Sequence, residues 1–169
     1  ESFMKIREKM PAKLLLVGDG PEKHRVMEQV KASPYKKDVL FLGKQENITE
    51  LFAISDLKLL LSEKESFGLV LLEAMACAVP GIGTNIGGIP EVIEHGKNGY
   101  IVELGDTQAV ADYAVQLLQD EEKLASFSEA ALYAVSEHFH EHKIIKQYED
   151  IYERVVAKKN DSKALAGRD

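Results

Sequence analysis

Five short aliphatic runs, each separated from the next by a longer segment of helical character, restrict this chain more than any other feature. The runs are Lys13–Val17, Val39–Leu42, Leu57–Leu61, the weaker Val79–Gly83 and Tyr100–Val102. Strands that short and that continuously apolar are read as buried on both faces. Strand–helix alternation of this kind gives an α/β protein with a doubly wound, parallel, Rossmann-like sheet. The intervening helices are expected over Glu22–Lys31, Ile48–Ile54 with Asn47 as a cap, Gly68–Cys77, and a short turn of helix after Gly87-Gly88-Ile89-Pro90-Glu91. Gly81 weakens the fourth strand because it offers no side chain to pack. Lys58 is out of place in a strand covered on both faces, so it belongs at the strand's start.

From Thr107 the pattern is helical, and three helices should end near Ala157. That makes residues 1–157 one nucleotide-binding domain and residues 158–169 a polar, frayed tail. Phe3, Ile6 and Met10 lie at helical spacing with no turn or cap signal before Glu1, so the chain reads as starting within a larger protein. A length of 169 residues is enough for one domain with a full core. The net charge of −7 argues against a general nucleic-acid or anionic-membrane binder, and no apolar run is long enough to span a bilayer. Cys77 is the only cysteine, which rules out an intrachain disulfide and agrees with a reducing, cytoplasmic setting.

In an open parallel sheet, ligands bind beyond the carboxyl ends of the strands. The loops to search are therefore 18–21, 43–47, 62–66 and 84–90. The segment Glu63-Lys64-Glu65-Ser66-Phe67-Gly68-Leu69-Val70-Leu71-Leu72-Glu73 carries the most chemistry. It follows a strand and opens a helix that is apolar nearly all round. Glu73 is expected among buried neighbours, where a carboxylate needs partners. Those partners are either a salt bridge or helix dipole, or a ligand. Glu65 is either a solvated loop glutamate or a second ligand group. The amides around Phe67, Gly68 and Leu69 form a helix start suited to an anion, and Gly68 permits close backbone approach.

The spacing Glu65-x7-Glu73, with Ser66-Phe67-Gly68 inside it and Glu73-Ala74-Met75-Ala76 after it, resembles the signature of family 4 retaining glycosyltransferases of the two-domain GT-B type. Three further stretches agree in order: Val17-Gly18-Asp19-Gly20-Pro21, Val39-Leu40-Phe41-Leu42-Gly43 and Gly87-Gly88-Ile89-Pro90-Glu91-Val92-Ile93. The resemblance covers about Ala12 to Val156. It implies the C-terminal, donor-binding half of such an enzyme. Glu65 would contact the donor sugar hydroxyls and is the candidate catalytic residue, though not as a covalent nucleophile. Ser66, Phe67, Gly68 and Leu69 would surround the sugar and diphosphate. Glu73 would bind the ribose hydroxyls, and the Gln45 backbone would read the base.

The implied donor is a UDP-sugar, with UDP-N-acetylglucosamine the favoured example. The implied acceptor is a small molecule such as L-malate, held by an N-terminal domain outside this sequence, and a homo-oligomer is compatible with the pattern. The family's arginine and lysine that clamp the diphosphate also fall upstream of Glu1, so this chain alone is expected to be inactive. Ala78 and Gly81 depart from the family pattern, where a glycine and a larger apolar residue are expected; both affect packing more than chemistry. A non-hydrolysing UDP-sugar epimerase half and a non-catalytic nucleotide-binding module are the rival readings.

Other signals carry less. A dinucleotide fingerprint beginning at Gly18-Asp19-Gly20 would place its third glycine at Lys23. His138, His140 and His142 alternate, but no carboxylate or cysteine set completes a metal site, so they are read as exposed. No Asp-x-Asp occurs, and neither a metal nor another cofactor is expected.

Overall fold

The computed structural model describes the backbone of residues 1–166 and the side chains of residues 1–157. The chain divides into two compact units, residues 1–132 and residues from 133 onward. In the first unit the elements run α1 (Ser2–Lys9), β1 (Leu14–Val17), α2 (Lys23–Ala32), a 3-10 turn (Lys36–Asp38), β2 (Val39–Gly43), α3 (Ile48–Ala53), β3 (Lys58–Leu60), α4 (Leu69–Ala76), β4 (Gly81–Thr84), α5 (Ile89–Val92), β5 (Gly99–Val102) and α6 (Thr107–Leu118). Helix α7 (Glu121–His138) follows, and α8 (Glu141–Ala166) belongs to the second unit.

Every strand pairing is parallel, as the alternation of strands and helices requires. The ladders form two groups, β1-β2 and β3-β4-β5, rather than one continuous sheet. A register shift between Leu16 and Val17 brings Val17 opposite Gly43. The first strand is also less covered than its aliphatic sequence predicts. Leu14, Leu15 and Leu16 are half-buried and Val17 is 40% exposed. The reason lies in α2, which buries none of its residues and so shields the strand only in part.

The core sits around β4 and β5. Ile6, Ile82, Tyr100, Val102, Val110, Ala114, Leu117 and Phe127 pack together as α1 and α6 meet the strands. Phe52, Ala74 and Val79 form a smaller cluster between α3 and α4. Gly81 is explained by what it touches: a Cβ there would lie 2.6 Å from Leu71 Cδ2. Helix α4 therefore packs against bare backbone, and the larger residue expected at this position has no room.

Ala78 is the one non-glycine residue with positive φ among the described residues, at +59°. Val79 N–H donates to Ala74 O at 3.0 Å and Ala78 N–H to Met75 O at 2.9 Å. These bonds form a Schellman motif that ends α4, with alanine in the left-handed position that usually selects glycine. The family's expected glycine thus has a backbone reason.

Asn47 precedes α3 but does not cap its backbone; its side chain bonds Glu50 and Thr49 instead. Helix α8 continues to Ala166, past the end expected near Ala157; the side chains of 158–169 and the backbone of 167–169 lie outside the described residues. His138, His140 and His142 are exposed, with the rings of His140 and His142 stacked at 5.2 Å.

Candidate donor-binding site

The segment singled out in the sequence crosses from the carboxyl end of β3 into the first turn of α4. Gly68 stands at the N-cap with φ +84°, a conformation that favours glycine. It is buried, and a Cβ would meet Leu60 Cδ2 at 3.3 Å and Ile89 Cγ1 at 3.4 Å. The chain therefore turns sharply while pressed against the strand below it. Leu71 N–H bonds back to Gly68 O at 2.8 Å. The amides of Gly68, Leu69 and Val70 have no hydrogen-bond partner among the described residues. They head an eight-residue helix and carry its positive dipole end.

Glu73 is where the structure corrects the sequence most. The sequence pattern places it among buried neighbours, and it is exposed. Leu71, Ala74 and Met75 take the core side of α4, while Leu69 (64% exposed), Glu73 and Ala76 share the outer face. Residues 69 and 73 are one turn apart, so Leu69 and Glu73 stand one above the other on that face. Burial therefore supplies no reason for Glu73 to find a protein partner. Among the described residues it has no hydrogen bond or ion pair, and the charge it interacts with is that of Lys58. Lys58 begins β3, half-buried, with its Nζ 6.0 Å from the Phe52 ring centre. Burial lowers its ammonium below the ordinary lysine value, and the Glu73 charge pulls it partly back up.

Glu65 is half-buried in the loop before α4, and its Oε1 accepts from Ser66 N–H at 2.9 Å. Ser66 is exposed and Phe67 half-buried. Gln45 is exposed beyond β2, with its Nε2 donating to Leu42 O at 2.6 Å. Its side chain is thus engaged locally, leaving the backbone as the part available to a ligand. The structure gathers Glu65, Ser66, Phe67, Gly68, Leu69 and Glu73 at one helix start; Gln45 belongs to the other strand group. A cavity of about 180 Å³ lies at the carboxyl ends of β3, β4 and β5, lined in part by Leu61, Glu63, Thr84, Glu103 and Asp106. It contains neither Glu65 nor Glu73. No group of three His, Cys, Asp or Glu residues among those described is placed to hold a metal ion.

Parallel strands alternating with helices, with the candidate loop at the carboxyl end of β3, make the frame of a GT-B glycosyltransferase fold. Comparison with known proteins agrees. The model of the family "Glycosyl transferases group 1" matches residues 1–132, and the chain belongs to that family. It is 59% identical over 156 residues to N-acetyl-alpha-D-glucosaminyl L-malate synthase of Bacillus anthracis, covering 92% of this chain and 41% of that enzyme. The crystal structure of Anabaena Alr3699/HepE in complex with UDP superposes with a TM-score of 0.83 at 28% identity, covering 90% of this chain and 44% of the other. Sucrose-phosphate synthase from Thermosynechococcus elongatus gives 0.82 at 25% identity, covering 93% and 42%. The chain thus spans less than half the length of these relatives. No helix among the described residues is long and apolar enough to cross a membrane.

Proposed function

We propose that this chain binds the nucleotide-sugar donor of a retaining glycosyltransferase. Glu73 accepts the two ribose hydroxyls, Glu65 accepts hydroxyls of the donor sugar, and the free amides at the head of α4 face the diphosphate. The observation that carries this reading is Glu73: an exposed carboxylate with no hydrogen bond among the described residues, on the same helix face as Leu69 and one turn from amides that are likewise unbonded among them. An ionised carboxylate accepts two hydroxyl donors at once, and helix amides compensate the charge that develops on a leaving diphosphate. The Gln45 backbone reads the base, and no metal takes part.

The donor is UDP-N-acetylglucosamine and the acceptor L-malate, in keeping with the name of the relative that is 59% identical. Anabaena Alr3699/HepE, whose fold this chain shares, was crystallised with UDP, which supports the same nucleotide here. Transfer requires the acceptor-binding half as well, because both substrates must be held in register. This chain by itself binds donor weakly and does not turn over, in a cytoplasmic enzyme.

The test is calorimetric titration of this chain with UDP, comparing wild type with Glu73→Ala. Hydrogen bonds to a charged group contribute about 1.5–3 kcal/mol, so UDP affinity should fall roughly 10- to 150-fold. A folded variant with unchanged UDP affinity refutes the ribose assignment.

A further inference from the structure

The turn after β4 packs directly on the donor-site loop, and the donor-binding reading gives that turn no role. Two hydrogen bonds and two close approaches tie residues 84–88 to residues 62–67. Thr84 is buried at 2% exposure, and its hydroxyl donates to Ser62 O at 2.8 Å. Gly88 N–H donates to Ser66 O at 2.9 Å. Gly87 has φ +52°, and a Cβ built there would lie 1.9 Å from Glu65 O and 2.9 Å from Glu65 C. A Cβ on Gly88 would lie 2.9 Å from Phe67 Cα and 2.7 Å from Phe67 Cδ2. The obstructing atoms at Gly87 are backbone, so no rotation of a flexible side chain relieves the overlap.

We propose that Thr84, Gly87 and Gly88 form a brace whose function is to position Glu65 for the donor sugar, independently of the ribose contact at Glu73. The inference rests on the donor-site reading and adds to it three positioning residues and a division of labour. Thr84 holds the start of the loop and Gly88 its end, while Gly87 allows the two backbones to touch in between. Glu73 lies on α4, outside the braced stretch. Disturbing the brace should therefore cost recognition of the sugar and spare recognition of the nucleotide. Relieving the clash of an alanine at 87 requires a backbone displacement on the order of 1 Å. A misplacement of that size at a positioned polar group is large compared with hydrogen-bond tolerance.

The experiment titrates this chain, wild type and variants, with UDP and with UDP-N-acetylglucosamine, and follows the backbone amides by ¹⁵N-¹H NMR. Gly87→Ala should weaken UDP-N-acetylglucosamine by about tenfold or more while changing UDP by less than about twofold, the loss of one charge-assisted hydrogen bond. The amides of Glu65, Ser66 and Phe67 should shift and that of Glu73 should not. Gly96→Ala is the control: Gly96 also has positive φ, at +82°, but its Cβ position is open, so the backbone strain is comparable and the clash is absent. It should leave both affinities unchanged.

Thr84→Val should reproduce the selective loss and Thr84→Ser should restore it, which also covers the case in which Gly87→Ala does not fold. The brace is overturned if Gly87→Ala or Thr84→Val binds UDP-N-acetylglucosamine as wild type does. It is equally overturned if both ligands weaken alike. If wild type binds neither ligand, the donor-site reading fails instead. The amide shifts then judge the brace separately: unmoved Glu65–Phe67 amides in Gly87→Ala refute it.

Discussion

Replacing Ala78 with glycine should stabilise the protein without touching the site. Ala78 occupies the C′ position of the Schellman motif that ends α4, at φ +59°. The left-handed region costs an L-residue with a Cβ about 1–2 kcal/mol. Glycine removes that cost but enlarges the conformational freedom of the unfolded chain, which works against it by about 0.4–1 kcal/mol. The hydrogen bonds from Ala78 and Val79 to Met75 and Ala74 are backbone bonds and survive the change. The net gain is roughly 0.5–1 kcal/mol, taking the difference of those two terms. For a chain of this size that corresponds to a rise in Tm of roughly 1–4 °C. Thermal unfolding followed by far-ultraviolet circular dichroism measures it directly. UDP affinity should be unchanged, because the substitution lies at the opposite end of α4 from the free amides. A Tm equal to or below that of wild type would show that the left-handed position is not strained, and the backbone account of the expected glycine would fail.

Three further outcomes are expected. Glu65→Gln should reduce sugar transfer by the full-length enzyme with UDP affinity nearly unchanged; an equal loss for UDP alone would place Glu65 on the nucleotide. Asp38, bonded to Lys13 at 2.5 Å and to Arg7 at 2.9 Å, is held below the ordinary aspartate value first by the Lys13 hydrogen bond and then by that from Arg7. Its depressed pKa means that its stabilisation is present above the ordinary aspartate range and is lost as pH falls through the folded value. The difference in urea midpoint between wild type and Asp38→Asn should therefore be largest near neutrality and shrink in acid, and a difference that does not depend on pH would contradict the ion-pair account. Transfer by the full-length enzyme should survive exhaustive chelation, since helix amides and basic groups can neutralise a leaving diphosphate; activity lost with chelator and restored by magnesium or manganese would refute metal independence.

The parallel α/β frame was legible because the aliphatic runs and helical segments report burial and period directly. Every strand expected from them appears, shifted at its ends by no more than two residues. What the pattern does not encode is which side of a helix faces out. Helix α4 reads as apolar all round, and on that basis Glu73 had to be buried and in need of a partner. The fold instead turns Leu69 and Glu73 outward together and seats Leu71 against the bare backbone of Gly81 on β4. Leu71 is fully buried and Leu69, two residues earlier, is 64% exposed; a composition-based reading weighs the two leucines alike.

The same reasoning explains why the role of the Gly87-Gly88 pair could not be read from the chain. Its neighbours, Glu65 to Phe67, lie about twenty residues away in sequence, and the contact is between backbones, for which no side-chain pattern exists. Glycine at 87 is required by a left-handed φ and by the Glu65 carbonyl in the space where a Cβ would stand. In sequence, each glycine looks like a turn signal. Only the packed structure separates those that merely turn, such as Gly96, from one that makes room for the donor-site loop. On the donor-site reading, Glu65 depends on such neighbours. It makes few protein contacts of its own, so its position has to be fixed by the backbone that carries it.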